Sequence, residues 1–492
     1  MSARIWLTAG IALTLGGCSL APDFLKPDTP VAENWSSDKL AADKEVAIDW
    51  WRGFGDPALV ALVEESLKAN NDLQLAAARV AEARAMLTGR QAERYPLLEV
   101  EGGATRQGPS EEAVNGGSND GRPFNDLRVG GVLSYELDLW GRLANASEAA
   151  RARLLASAAN RETIRLAIIG EVANGYFNLR ALDRQIEITE RTISSRRESV
   201  DLQRARFEAG EVDELTLRQA ESELAAAEAE LPMLQQQRER QNNALAVLLG
   251  RDPRQMLQEN IAVANPIDAI QAPASVPAGR PADLIMRRPD IAAAEQELVA
   301  TNAEIGVARA AFLPTISFSG LLGLQSASGG SLFQESASNW QLGGSLLGPL
   351  LDFGRSQSLL DQAQARQRQA LIGYRQTVQT AFQEVLDALA GLQGSEQRLQ
   401  AQVRQVTALQ STTRLARMRF EGGVSSYLEV LDEERRLFDT ELNLVQTQRD
   451  RLQSSVNLYR ALGGGWQGEL STDATTAAAP TSEATPPEQG ML

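Results

Sequence analysis

The chain contains no histidine and one cysteine, Cys18, in 492 residues. Without histidine there is no Ser/His/Asp or Cys/His catalytic arrangement and no metal site built on imidazole. A single thiol allows neither an intramolecular disulfide nor a dithiol redox pair. Positive charge is also short: 48 Lys+Arg stand against 64 Asp+Glu, for a net charge of −16. Nucleic-acid binding needs a basic face, so nucleic acid is not a partner. There is no Gly-rich phosphate loop, and the acidic pairs sit at helix-surface spacings, so nothing here runs an enzyme. Catalytic residues, metal ligands and cofactors are accordingly none. The seven methionines are too few and too scattered to argue for export of a soft metal such as copper or silver. What the chain does have is a 43% hydrophobic content, enough for a large core or several domains.

The first 18 residues carry Arg4, an apolar run from Ile5 to Leu15, and then Gly16-Gly17-Cys18. These are the proportions of a secretory signal over 1–17, too short for a spanning helix. The Leu-Gly-Gly-Cys ending resembles a bacterial lipobox, which implies a covalent lipid on Cys18. Ser19, rather than Asp, after the cysteine implies sorting to the outer membrane. Two or more acyl chains, at about 0.8 kcal/mol per buried methylene, make a lasting anchor. Residues 18–56 then read as an extended lipidated leader, and 467–492 as a tail unable to bury enough apolar surface to order itself.

Between these ends one pattern is written twice. The first repeat, 57–250, predicts a helix over 57–94, strands over 97–107 and 127–137, and a long helical hairpin over 141–249. A linker over 251–280 leads to the second repeat, 281–466. It predicts a helix over 289–311, strands over 314–325 and 339–350, and a hairpin over 354–462. Trp140-Gly141-Arg142 answers to Phe353-Gly354-Arg355, and Arg206-Phe207-Glu208 to Arg419-Phe420-Glu421, both 213 positions on. Tyr95-Pro96 answers to Leu313-Pro314, 218 positions on.

Apolar residues step by threes and fours through both hairpins, as in Tyr374, Val378, Phe382 and Val385, which is coiled-coil spacing. A helix from 142 to 207 is roughly 100 Å long at 1.5 Å per residue. Gly210 and Gly423, the latter preceded by Gly422, can supply the left-handed caps that reverse these helices. The strands alternate, with Val129, Gly131, Leu133, Tyr135 and Leu137 on one face, a pattern suited to a bilayer-spanning barrel. Four strands cannot close a barrel, for which about eight is the minimum, so other chains must complete it. Strand count alone permits two chains or three.

These stretches together resemble the TolC-like outer membrane factor family, in its OprM/NodT lipoprotein branch. The resemblance rests on LGGC at 15–18, DWWRGFGD at 49–56, LDLWGR at 137–142, RRPDIAAAE at 287–295, ARAAFLPTISF at 308–318, LLDFGR at 350–355 and RFEGGVSSYLEVLDEER at 419–435. It implies a mixed membrane α+β fold. Three chains would share a 12-stranded transmembrane β-barrel, four strands each, continuous with a long 12-helix α-barrel. It implies the exit duct of a tripartite efflux system, passive, in the outer membrane and extending into the periplasm. The implied partners are two further copies (a homotrimer), outer membrane lipid, a periplasmic adaptor (membrane fusion) protein and an inner-membrane transporter of RND type. The resemblance assigns Glu429 and Asp432 to an acidic periplasmic gate and Arg435 to a contact between hairpins. Phe420 stands where relatives often have Tyr, and Ser425 where the TolC branch has an Arg latch. Gly210, Asp213 and Glu214 form the other tip, facing the pump components. Two alternatives are a lipid-anchored periplasmic coiled-coil adaptor and the duct of a type I protein secretion system. An adaptor explains one hairpin and the lipobox, but not two hairpins interleaved with four spanning-type strands.

Overall fold

The computed structural model describes residues 19–33, 35, 40–41, 46–108, 123–273, 276–277 and 279–468. The signal segment, Cys18, most of the loop after 107 and the tail beyond 468 lie outside the described residues. After a two-residue strand, β1 (Leu40–Ala41), come α1 (Pro57–Ala69), α2 (Asn71–Ala92), β2 (Leu97–Gln107) and β3 (Phe124–Leu137). The first hairpin is α3 (Arg142–Glu208) with α4 (Glu214–Leu248). Then follow α5 (Pro253–Gln258), β4 (Val276–Pro277), α6 (Pro281–Arg287), α7 (Pro289–Ala310), β5 (Thr315–Ser326) and β6 (Ser338–Leu347). The second hairpin is α8 (Arg355–Glu421) with α9 (Tyr427–Ala461).

The continuous helix expected over 57–94 is two helices. Asn70 is extended, and its Oδ1 accepts from the Asp72 and Leu73 amides at 2.8 and 3.1 Å, so it ends one helix and caps the next. Its Nδ2 donates to Leu248 O at 2.8 Å and ties this corner to the end of α4. The stretch 251–280 is more than a linker, since it holds α5 and β4, and β4 pairs in parallel with β1. β6 stops at Leu347 instead of 350, because Gly348-Pro349 follows and proline has no N–H for a ladder.

The core lies where the hairpins meet the shorter helices. Trp50, Trp51 and Phe54 are buried there, and Trp50 stacks on Tyr459 at 5.0 Å between ring centres. Asp56 Oδ1 accepts from the Ala58 and Leu59 amides at 2.9 and 3.0 Å, capping α1. The 49–56 motif is thus an aromatic plug followed by a helix start. Ile168, Ile169, Val172, Ala173, Tyr176 and Phe177 are all buried, so α3 has neighbours on two sides at this level.

The sheet is antiparallel in the order β2-β3-β5-β6. Register places Leu98, Val100, Val129, Leu133, Tyr135, Phe318, Leu322, Trp340, Leu342 and Leu346 on one face. The other face carries Glu99, Glu101, Asp126, Arg128, Glu136, Ser317, Gln325, Asn339 and Gln341. Among the described residues both outer strands, β2 and β6, have one edge unpaired, and an unpaired backbone edge in lipid costs several kcal/mol per group. Among the described residues no helix is long and apolar enough to cross a membrane.

Candidate functional site

The far ends of the hairpins are built alike. At the first tip, the Gly210 amide donates to Phe207 O and the Glu211 amide to Arg206 O, both at 2.9 Å. At the second, Gly423 donates to Phe420 O and Val424 to Arg419 O, again at 2.9 Å. Gly210 and Gly423 have φ of 75° and 72°, the left-handed conformation that a side chain disfavours. Gly422 does not share this role. It is right-handed, with φ −77°, and corresponds to Ala209 of the first tip.

At the first tip Asp213 is a helix cap. Its Oδ1 accepts from the Thr216 amide at 2.9 Å and hydroxyl at 2.7 Å, and these bonds hold its pKa below the usual carboxylate value. Glu214 pairs with Arg218 at 3.1 Å. At the second tip, Glu429 lies 3.8 Å from Arg419, and Asp432 accepts from Arg435 at 2.9 Å. Each of these two carboxylates therefore faces a cation of its own chain. Arg435 bonds to its own helix; among the described residues it makes no contact to another hairpin. The Ser425 hydroxyl is buried and without a partner among the described residues.

What fastens the second tip to the first is apolar. Tyr427 is 6% exposed and packs with Val200, Ala220, Ala416, Val430 and Leu431. The Phe420 ring lies 5.1 Å from the Tyr427 ring, with the Arg206 guanidinium 5.4 Å above its centre. Burial, followed by the charge of Glu434, pushes the Tyr427 hydroxyl above its ordinary pKa against a hydrogen bond with Ser199. Deeper along α3, Arg196 is 6% exposed, donates to Glu223 O at 2.6 Å and sits 5.4 Å from the Phe438 ring. The sequence marks Arg206 only as part of the repeated Arg-Phe-Glu landmark, and Tyr427 and Arg196 not as site residues at all. The signal that finds Tyr427 is an aromatic seven residues after Phe420, across the turn.

Phe420 thus carries packing rather than a hydroxyl latch. Phe420→Ala removes one aromatic pair and one cation–π contact, together about 1–3 kcal/mol. The expected result is a rise in the single-channel conductance or open probability in planar bilayers. Unchanged conductance would mean that the tip is held elsewhere.

The fold joins an open four-stranded sheet, apolar on one face, to helices roughly 100 Å long ending in reversing turns. That is the architecture of a barrel-forming duct. The profile of the family described as "Outer membrane efflux protein" matches residues 62–251 and 281–464. The chain is 36% identical over 461 residues to the cation efflux system protein CusC of Escherichia coli O6:H1, covering 93% of this chain and 98% of that one. It is equally 36% identical to the solvent efflux pump outer membrane protein SrpC of Pseudomonas putida, covering 92% and 97%. The Campylobacter jejuni CmeC outer membrane channel superposes with a TM-score of 0.87 at 25% identity, covering 92% of this chain and 96% of that one. The chain belongs to the outer membrane efflux protein family. It is an outer membrane exit channel of tripartite efflux, reaching into the periplasm, with the family's β-barrel continuous with an α-helical barrel.

Proposed function

We propose that three copies of the chain form the duct, anchored by lipid on Cys18, and that their hairpin tips meet a periplasmic adaptor coupled to an RND-type inner-membrane transporter. The observation that carries this is the sheet. Four strands with two unpaired edges and a continuous apolar face have no stable place in a bilayer until closed by other chains. Three chains give twelve strands, the family's number. In the detergent-solubilised complex the expected mass is three protomers, with channel activity in planar bilayers. A mass of one or two protomers overturns the reading.

The anchor is supported by where the residues following Cys18 lie. Ser19 Oγ donates to Asn145 Oδ1 at 3.0 Å, in the first turn of α3 and just beyond the end of β3. Arg309 donates to Leu20 O at 2.9 Å and Asn302 to Pro22 O at 2.8 Å. At Gly306 a Cβ would come within 2.5 Å of Asn145 and 2.8 Å of the Ala21 amide nitrogen, so glycine makes room for this strap. Ser19 is thereby held at the strand-to-helix boundary, which supports an acyl chain on the preceding residue entering the inner leaflet. Cys18→Ser should yield an unlipidated chain by mass spectrometry that still forms trimers in the outer membrane. Loss of the trimer would show that the lipid does more than tether.

At the tips, Leu215, Val424 and Leu428 are exposed apolar side chains beside the turns, suited to contact with an adaptor. Cargo does not follow from kinship, since two relatives of equal identity are named for cations and for solvents.

A further inference from the structure

Between α3, α8 and α9, further from the tips than the Tyr427 cluster, lies a cavity of about 520 Å³. Its lining holds five arginines, Arg184, Arg191 and Arg196 from α3 and Arg414 and Arg417 from α8, against two carboxylates, Glu434 and Glu441 from α9. In a chain of net charge −16 this is a local reversal of sign. Helix spacing explains the convergence. Positions 184, 191 and 195 on α3, 410, 414 and 417 on α8, and 434, 438 and 441 on α9 each share one helix face. Glu441 ties the three helices together at one level, accepting from Arg191 at 3.0 Å and from Gln410 at 3.4 Å.

The internal repeat separates what the hairpins need in common from what this cavity adds. α3 and α8 run 142–208 and 355–421, and α4 and α9 run 214–248 and 427–461, all shifted by 213. By that shift Arg191, Arg417, Glu434 and Glu441 answer to Arg404, Arg204, Glu221 and Glu228, charge for charge. The Arg417–Glu434 ion pair reappears as Arg204–Glu221 at 3.1 Å, so these groups belong to the shared framework. Arg184, Arg196 and Arg414 answer to Gln397, Leu409 and Asp201 instead. The three extra cations therefore belong to the cavity and not to the repeat.

We propose that this cavity binds a small oxyanion, bearing phosphate or carboxylate oxygens, that bridges the first hairpin to the second. Two of the extra cations are partly matched: Arg184 meets Glu187 at 2.7 Å, and the buried Arg196 meets Glu223 at 3.2 Å. Arg414 has no hydrogen bond or ion pair among the described residues, and neither has the Ser195 hydroxyl. A guanidinium carries five N–H donors, and Arg191, Arg196 and Arg417 each commit only one or two of them. The remaining donors are suited to acceptor oxygens, and a negative charge among them offsets the mutual repulsion of the cluster. Phe438 is buried and walls one side with hydrocarbon, which strengthens charge interactions there by excluding water. The volume is that of a small-molecule site, which favours a free anion over a docked protein segment.

The test is equilibrium dialysis of the full-length, detergent-solubilised complex against radiolabelled inorganic phosphate at constant ionic strength. Saturable uptake of a single phosphate per chain is expected. Arg414→Ala should weaken it about tenfold, the effect of losing one charged hydrogen bond. Arg414 has no partner within the fold to lose, so this variant keeps its structure, which helix circular dichroism checks. Arg404→Ala makes the same change of charge at the equivalent of Arg191, outside the cavity, and should leave the affinity unchanged. Because the anion joins two hairpins, phosphate should raise the melting temperature of the unsubstituted complex more than that of Arg414→Ala. The difference between the two cancels the general effect of phosphate on stability. Competing succinate separates the two chemistries: displaced label shows a site for carboxylates as well, retained label a site for phosphate, and either supports the proposal. Absence of saturable uptake overturns it. So does an equal loss in Arg404→Ala, which shows diffuse counterions only. A glutamate-rich peptide that binds wild type but not Arg414→Ala, with no phosphate uptake by either, would assign the cavity to an acidic protein segment and overturn it too.

Discussion

Arg288→Ala is expected to lower the unfolding free energy by about 2–3 kcal/mol, the cost of losing a buried cation's hydrogen bonds to two partly exposed carboxylates and a helix-end carbonyl. Arg288 is 7% exposed at the junction of α6 and α7. It donates to Asp290 at 3.0 and 2.5 Å, to Glu384 at 2.7 Å and to Ala461 O at 2.9 Å. One guanidinium therefore joins the start of α7, the middle of α8 and the end of α9. Burial pulls its pKa down, but the bonds and charges of Asp290 and Glu384 more than offset this, and the net direction is upward. The group is charged at every accessible pH. Its removal leaves Asp290 facing a gap and a helix-end carbonyl without its donor. Denaturant unfolding in detergent, followed by helix circular dichroism, measures the loss. A change under 1 kcal/mol would show that α8 and α9 are held to α7 by packing alone.

Arg288 also marks a limit of the sequence. RRPD at 287–290 is visible as a motif, but its partners are 96 and 173 residues away, and spacing along the chain does not predict such encounters. Periodic features are different. The period-2 alternation of 129–137 and the coiled-coil steps of 374–385 each report a local environment, and the elements lie within one to three residues of expectation. The exceptions are local competitions that a hydrophobic pattern does not weigh. Asn70 interrupts a helical stripe because its side chain offers the backbone a cap instead. Pro349 trims β6 although Leu350 continues the alternation. At the tips, the turns were legible because Gly210 and Gly423 have few alternatives. The Tyr427 cluster draws on α3, α4, α8 and α9 together and so appears only once the helices are packed.

Packing also sharpens the expectation for the gate. Taken as bare carboxylates, Glu429 and Asp432 would form two acidic rings in a threefold duct, and their removal would abolish cation preference. In the structure Arg419 and Arg435 stand 3.8 and 2.9 Å from them. All four side chains are roughly half exposed, so each pair contributes only about 0–1 kcal/mol to holding the tip. Removing both carboxylates therefore leaves two unbalanced arginines per chain, six around the threefold axis. Glu429→Ala/Asp432→Ala is expected to invert selectivity, from cations toward anions. The cation-to-anion permeability ratio should fall by about tenfold, corresponding to roughly 1.4 kcal/mol, a modest shift for six charges around a solvated pore. Arg435→Ala should move the ratio the other way while leaving the trimer intact. Reversal potentials in salt gradients across planar bilayers measure both. If the double variant keeps the wild-type reversal potential, the narrow passage lies away from this tip, and Glu429 and Asp432 are surface ion pairs.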